Sequence, residues 1–358
     1  MHNINKFELP IDTTDVNCVT DCWIFNRLII IKTSPHYNDW IASRYNLYTD
    51  SSHNFHFGDF GLIEPNYHDD ILERKQFNIL KIERKNVIEK LKGLISAGYY
   101  INIFVKPFKK FEYYHEVVIY GFDNDTNEFL VVGLRNRVFE KYKMPYELLE
   151  VTWNDIKKYF MSNSNKGIEL SMNYQYPATL FKLNGNFNTE NCVVEAYKKL
   201  RKELFGKRMI FSTSQKPTFY TEKNIYYSGI ECLNAASHMI NKELQGEAFA
   251  NWFRGITSAI KKLYEHRKMI LISMNYIYTK WNICMNDDTL VYINQYTECL
   301  KKVEKWVNLA LHYELTKNKR DLEVILKELP DVYDVEKDVL GKYVYHTIDW
   351  EKYNLNFI

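Results

Sequence analysis

The character of the sequence changes near residue 187, and this change restricts the fold more than any other feature. Helix and strand signals alternate before it, whereas the stretch after it reads almost entirely as helix, with few Gly or Pro residues to interrupt the pattern. The helices predicted after it lie at residues 190–204, 229–242, 249–283, 290–315 and 322–328. We therefore expect an α+β domain at residues 1–186, followed by a mainly helical domain at residues 187–358.

Charge and hydropathy exclude several classes of function. The chain has 47 Lys and Arg against 45 Asp and Glu, a net charge of +2. Because no run of like charge occurs, it lacks the basic stripe that binds nucleic acid or a membrane surface. The longest apolar runs fall far short of the roughly 20 residues that span a bilayer, and no signal-peptide core opens the sequence. We expect a cytoplasmic protein with no nucleic-acid or membrane partner.

The first half contains the elements that could build a site. An apolar helix is predicted at residues 22–31 and an amphipathic helix at 87–97, with Gly98 at its C-terminal end. The remaining predictions are strands at 99–105, 116–120 and 128–132, a hairpin turn at 121–127, a helix at 144–160 and an extended segment at 172–183.

Cys22 opens the first of these helices and is the leading candidate for a nucleophile. Six cysteines are too few for a disulfide scaffold in a chain of this length, so a functional cysteine is expected to act as a thiol. The N–H groups and the positive dipole end of a helix favour the thiolate, and Thr20 or Asp21 would provide the N-cap. Two alternatives remain open: Cys22 is a small buried hydrophobic residue, or Cys18 is the nucleophile.

His115 is the candidate base. It precedes the predicted strand at residues 116–120, and a sheet holds such a residue firmly enough to aim it at a nucleophile on a neighbouring helix. A structural role for a histidine at a strand end is the alternative. An early cysteine at a helix start and a later histidine on a hairpin strand follow the usual order of a cysteine–histidine pair.

Two segments carry a resemblance to a known fold family. Cys22-Trp23-Ile24-Phe25 resembles the Cys-Trp-x-Phe segment of papain-like enzymes, and residues 115–123 resemble the histidine hairpin of the peptidase C39-like branch. Residues 38–45, 98–101 and 264–271 resemble non-peptidase members from peptide-antibiotic gene clusters, of the type of butirosin biosynthesis protein H. The resemblance covers most of the chain and implies a papain-like cysteine-protease fold, a helix with an antiparallel sheet, ahead of the helical domain.

The sequence departs from that family at two positions. Gly133 stands where C39-like enzymes place an Asp that orients the histidine, and Asn136, three residues on, is the candidate amide that replaces it. Val16 stands where papain-like enzymes carry the glutamine of the oxyanion hole, and Asn17 is the nearby amide that could donate instead.

The resemblance implies acyl transfer without proteolysis. Members of the butirosin type take acyl groups held as thioesters on the phosphopantetheine of an acyl- or peptidyl-carrier protein and pass them to an amine. Cys22 would form the acyl-enzyme, His115 would move the protons, and the acceptor would be a small amine or diamine, with no cofactor of the enzyme's own. A cysteine peptidase or thioester hydrolase of the same fold is the alternative, and a non-catalytic binding protein is a third possibility.

Two groups of basic residues are candidates for docking the carrier protein, which is commonly acidic. One precedes His115 and the other lies on the first helix of the second domain; an ordinary solvated face is the alternative for both. The two groups are Lys106, Lys109 and Lys110, and Lys198, Lys199, Arg201 and Lys202.

Metal binding is not expected. Cys18 and Cys22 have no second ligand pair at metal-site spacing nearby. His53, His56 and Asp59, and likewise His68, Asp69 and Asp70, have the composition of ordinary loops. His266, in the middle of a predicted helix, is interpreted as structural or as a wall of substrate space.

Overall fold

The computed structural model describes residues 5–49, 55–58, 70–77, 82–105, 115–135, 138–149, 178–206, 208–210, 225–246, 255–281 and 288–346. It divides into two units: residues 1–37 with 64–187, and residues 38–63 with 188–358. The boundary at 187 lies beside the one expected, but the second unit also takes residues 38–63 from within the range 1–186. The reason is strand pairing, because the two strands of this segment join a sheet of the second unit.

The elements are as follows. The strands are β1 (Lys6–Glu8), β2 (Asn46–Thr49), β3 (Phe55–Gly58), β4 (Leu72–Phe77), β5 (Tyr100–Val105), β6 (His115–Asp123), β7 (Glu128–Arg135), β8 (Val138–Pro145), β9 (Ala178–Leu183), β10 (Arg208–Ile210) and β11 (Ile225–Ser228). The helices are α1 (Cys22–Ile31), α2 (Tyr37–Ala42), α3 (Val87–Ser96), α4 (Cys192–Leu204), α5 (Cys232–Leu244), α6 (Ile256–Lys280), α7 (Thr289–Thr316) and α8 (Lys319–His346), with 3-10 turns at Arg84–Asn86 and Gly229–Glu231.

The first unit is built on a seven-stranded antiparallel sheet in the order β4-β9-β5-β6-β7-β8, with β1 paired to β6. Alternate residues of β5 and β6, such as Ile103 and Val117, form an apolar core with Leu91 and Ile95 of α3. The intervening residues face α1. Helices therefore cover both faces of the sheet, and β6 lies between two neighbouring strands at its centre.

Most predicted elements of the first half are confirmed, and one is wrong at its start. Helix α1 has the predicted bounds, and Gly98, with φ of +87°, ends the α3 segment in the left-handed conformation that glycine favours. The helix predicted from residue 144 does not begin there. Met144 and Pro145 close β8, because they pair with Phe129 and Glu128 of β7. Residues 150–160 of that prediction lie outside the described residues.

The second unit is mainly helical, as predicted, but it also contains a four-stranded antiparallel sheet in the order β10-β11-β2-β3. Its apolar core joins α4, α6, α7 and α8 through residues such as Leu200, Ile270, Tyr296 and Leu340. Helix α8 is much longer than the predicted 322–328 and runs through Pro330. Among the described residues, none of the helices combines the length and apolarity needed to cross a membrane.

Candidate active site

Cys22 occupies the first position of α1, as the sequence predicts. Asp21 takes the N-cap position in an extended conformation, and the N–H groups of Ile24 and Phe25 donate to its carbonyl oxygen at 3.1 and 2.9 Å. The carboxylate of Asp21 makes no capping hydrogen bond. The positive end of the helix dipole therefore lies at Cys22, where it favours negative charge on the sulfur.

Burial separates the two candidate nucleophiles. Cys18 has no exposed surface, whereas Cys22 is partly exposed. A substrate acyl group must reach the sulfur, so Cys22 is the thiol that fits the role. Asn17, the candidate oxyanion donor, uses its amide Nδ2 to donate to Tyr37 Oη at 3.0 Å. Burial raises the pKa of Tyr37 to about 12, so this hydroxyl stays protonated at neutral pH.

The difference in burial gives a direct prediction. Brief treatment of the folded protein with iodoacetamide is expected to modify Cys22 at least tenfold faster than Cys18, because alkylation needs access to the thiolate. Peptide mapping of the alkylated protein measures the two rates, and the same reaction in urea provides the control in which both cysteines react. Faster modification of Cys18 in the folded protein would move the nucleophile to that residue.

A buried polar cluster joins α1, the helix that begins at Cys22, to β6, the strand that begins at His115. Asn26, one turn after Cys22, donates its Nδ2 to Asn102 Oδ1 at 3.0 Å and to Glu116 Oε2 at 3.4 Å, and Asn102 Nδ2 donates to the same oxygen at 3.2 Å. All three members of the cluster are at most 7% exposed. Sequence reasoning missed these residues. The available signal was Asn26, a polar side chain that stands with Arg27 in a helix run whose other residues are apolar, since buried amides are retained where they are hydrogen-bonded.

The other end of α1 lies near the far end of β6. Asp12 N–H donates to Ile29 O at 3.1 Å, and Leu9 N–H donates to Tyr120 O at 2.8 Å. The chain from Leu9 to Asp12 spans at most about 11 Å. The C-terminal turn of α1 is thus close to Tyr120, five residues along β6 from its start.

These contacts fix the direction of α1 along β6. Asn26 lies level with Glu116, the second residue of the strand, and Cys22 lies about 6 Å further from the Tyr120 end. The Cys22 end of the helix therefore points to the end of the sheet where β6 begins with His115. The backbone of His115 pairs with Val105 at the end of β5. The structure thus brings the two predicted residues to the same end of the same unit, but α1 packs on the face of β6 that carries Glu116, and strand alternation assigns position 115 to the other face. The side chain of His115 lies outside the described part of the chain.

Position 133 does not provide the carboxylate that C39-like enzymes use to orient the histidine. Gly133 pairs with Val117, and a Cβ built on it would lie 2.6 Å from Val117 Cγ1, so the space is already occupied. An aspartate at position 133 would therefore require Val117 to shift. Asn136, the predicted replacement, lies outside the described residues, as do Lys106, Lys109 and Lys110.

The second basic group is smaller than predicted. Lys199 is only 3% exposed and belongs to the interior, so it cannot contribute to a docking surface. Lys198 is exposed and lies 2.8 Å from Glu195 on the same helix, which offsets its charge. Arg201 and Lys202 remain at the surface of α4. The prediction failed at Lys199 because the apolar face of α4 includes this position.

A network of buried charged and polar groups occupies the interior of the second unit. His266 Nε2 lies 3.0 Å from Glu203 Oε1, and Arg267 Nη1 lies 3.3 Å from His266 Nδ1. A guanidinium only donates, so Nδ1 accepts and His266 is neutral, with its proton on Nε2. Desolvation lowers the pKa of His266, in agreement with this state. His266 has no exposed surface, which favours the structural interpretation over a wall of substrate space.

Lys199 makes the stability of this network depend on pH. Desolvation lowers its pKa to about 7, and its Nζ donates to Ser273 Oγ at 3.1 Å. Between pH 7 and about 10 the unfolded chain binds a proton that the folded chain does not, so the free energy of unfolding rises with pH. Relative to Lys199→Met, the wild type should gain at most about 1.4 kcal/mol per pH unit in this window. Urea titrations at pH 7, 8.5 and 10 measure this, with the exposed Lys198→Met as the control. A constant difference between wild type and Lys199→Met would contradict it.

No group of His, Cys, Asp or Glu residues in the described part of the chain is arranged to hold a metal ion. The loop residues His53, Asp59, His68 and Asp69 lie outside that part.

No family model matches the chain, and a search of curated proteins returns no significant match. The resemblance to papain-like enzymes therefore stays a prediction from the sequence.

Proposed function

We propose that this protein is a cysteine-dependent acyltransferase with a papain-like first domain. It would transfer an acyl group from the phosphopantetheine thioester of a carrier protein to a small amine or diamine, in peptide-antibiotic biosynthesis. The observation that supports this most is the direction of α1, which takes Cys22 to the end of the sheet where β6 begins with His115. The resemblance in sequence supplies the substrate class.

The first step is a thioester exchange. The Cys22 thiolate attacks the carrier thioester, a new carbon–sulfur bond forms, and the phosphopantetheine thiol leaves. The exchange of one thioester for another is nearly balanced in free energy. The dipole of α1 favours the thiolate, and His115 takes the proton from the thiol.

The second step forms the amide. The amine nitrogen attacks the carbonyl carbon of the acyl-enzyme, and the bond from that carbon to Cys22 Sγ breaks. His115 removes a proton from the nitrogen, and Cys22 is regenerated. No oxidant, metal or bound cofactor is needed, because the free energy of the thioester drives the reaction.

The occupied space at Gly133 favours thioester chemistry over peptide cleavage. Peptide hydrolysis must protonate an amine leaving group, which requires a well-oriented histidine as general acid. A thiolate leaves without that help. A site without a carboxylate at position 133 is therefore better suited to thioesters than to peptides.

The test is product analysis with an acyl-carrier thioester and a set of mono- and diamines. The proposal predicts amide in excess of free acid with at least one amine, and no product with Cys22→Ala. Free acid alone, unchanged by added amine, would indicate a thioester hydrolase. Cleavage of unstructured peptides without a carrier protein would indicate a peptidase. Either result would overturn the assignment as a transferase.

A further inference from the structure

Glu116 of β6 carries a buried carboxylate without a cationic partner in the described part of the chain. It is 7% exposed, and its hydrogen bonds there come only from the amides of Asn26 and Asn102, with no ion pair to Lys, Arg or His. Asp123, at the other end of the same strand, is equally buried but lies 3.4 Å from Lys143 Nζ. Since burial of an unpaired charge is strongly unfavourable, Glu116 calls for a cation.

Asn26 has an unsatisfied oxygen beside this carboxylate. The residue has no exposed surface, and its Oδ1 lacks a hydrogen-bond partner among the residues that the structure describes. The Nδ2 of the same amide lies 3.4 Å from Glu116 Oε2. Because Oδ1 and Nδ2 are bonded to one carbon, Oδ1 lies at most about 6 Å from the carboxylate oxygen. Both oxygens accept hydrogen bonds and donate none.

These two oxygens specify the chemistry of a ligand. An ammonium nitrogen hydrogen-bonded to both oxygens, about 2.9 Å from each, bridges a gap of this size and supplies the missing charge. A water molecule satisfies Asn26 Oδ1 but leaves the carboxylate without a countercharge. A quaternary ammonium supplies the charge but has no N–H group to donate.

The two oxygens lie on the side of the sheet that carries the nucleophile. Cys22 and Asn26 are four residues apart and therefore share a face of α1. Helical side chains lean toward the N-terminus, so the side chain of Asn26 leans toward Cys22, which is about 6 Å further along the helix. A ligand held between Asn26 and Glu116 is thus within one helical turn of the partly exposed thiol.

We infer that Glu116 and Asn26 bind the ammonium group of the acceptor, with the carboxylate as countercharge and Asn26 Oδ1 as second hydrogen-bond acceptor. This inference rests on the proposed function, which supplies an amine as substrate, but it does not depend on which side chain is the base. A bound ammonium is not nucleophilic. A diamine therefore fits the site best, because one nitrogen stays bound as ammonium while the other, neutral nitrogen attacks the acyl carbon.

The first test measures binding without any acyl group. Urea unfolding of the whole protein is followed at increasing concentrations of propylammonium chloride or tetramethylammonium chloride. A ligand that binds only the folded state stabilises it, so propylammonium should raise the urea midpoint of the wild type more than tetramethylammonium does. Glu116→Gln, which preserves the shape of the side chain, should need about tenfold more propylammonium for the same rise, because it lacks the charge-assisted hydrogen bond. Asp123→Asn is the matched control and should respond as the wild type does.

The second test measures specificity in the transfer reaction. With an acyl-carrier thioester, the wild type should reach half-maximal amide formation at about tenfold lower concentration of 1,3-diaminopropane than of propylamine, and Glu116→Gln should lose this preference. The comparison of two amines within each protein cancels any general effect of the substitution on the reaction.

The outcomes separate this inference from the proposed function. Equal effects of the two cations on the wild type would overturn the ammonium site, and this measurement needs no variant. Equal responses of the wild type and Glu116→Gln would also overturn it, whether or not the protein forms amides. If propylammonium binding depends on Glu116 but no thioester and amine give an amide, the ammonium site stands and the proposed function is wrong.

Discussion

Replacement of His115 by Ala should slow acylation of Cys22 by an acyl-carrier thioester about 100- to 10,000-fold, the usual contribution of general acid–base catalysis. Under the proposed mechanism the variant lacks the group that takes the thiol proton, so the attacking thiolate becomes scarce at neutral pH. The loss should therefore appear in the rate of acyl-enzyme formation at saturating thioester, measured by rapid quench and mass spectrometry.

The control for this prediction is His238→Ala, which removes an exposed histidine from α5 in the other unit. It should acylate at the wild-type rate. A His115→Ala protein that acylates within threefold of the wild type would show that another residue serves as the base, and the assignment of β6 as the strand of the base would fall.

Replacement of Arg267 by Met should destabilise the second unit by about 3–5 kcal/mol, the cost of leaving a buried charge without its partner. Arg267 Nε and Nη2 donate to Glu336 Oε2 at 3.3 and 3.2 Å, and both residues are 1% exposed. Burial already raises the pKa of Glu336, and loss of the guanidinium would raise it further. The folded variant then binds a proton that the unfolded chain lacks, so its stability should fall as the pH rises from 5 to 7.

The matched variant removes both charges. Arg267→Met combined with Glu336→Leu should cost clearly less than Arg267→Met alone, because no uncompensated carboxylate remains and Tyr296 loses only the acceptor of one hydrogen bond, 3.2 Å long. Urea titrations of the two proteins at pH 5 and 7 measure the difference. If the two proteins lost the same free energy of unfolding at pH 5 and at pH 7, the packing of these side chains, and not the unpaired charge, would determine stability at Arg267.

The local elements of the first domain were predictable because the spacing of the apolar residues and the polar or turn residues at the ends of each element indicate the same bounds. Helix α1 begins at Cys22 as expected, since a polar loop precedes an apolar run. The hairpin of β6 and β7 turns at Asn127, with φ of +55°, within the predicted polar turn. The ends of strands were less accurate. Strand β7 continues to Arg135, beyond the predicted residue 132, because its pairing with β8 extends the ladder and no local signal records that pairing.

Features that depend on distant partners were not predictable. The assignment of residues 38–63 to the second unit follows from the pairing of β2 with β11, almost 180 residues away. The burial of Lys199 follows from its place on α4 against Ser273 of α6. The polar cluster between Asn26 and Glu116 likewise joins residues that only the fold brings together. Spacing in a single sequence contains no information on such contacts.

Intact-protein mass spectrometry after incubation with an acyl-carrier thioester tests the central claim most directly. The wild type and Cys18→Ala should each gain the mass of one acyl group, which added amine removes as an amide. Cys22→Ala should gain none. An adduct that survives in Cys22→Ala and disappears in Cys18→Ala would contradict the account, and so would the absence of any adduct in the wild type.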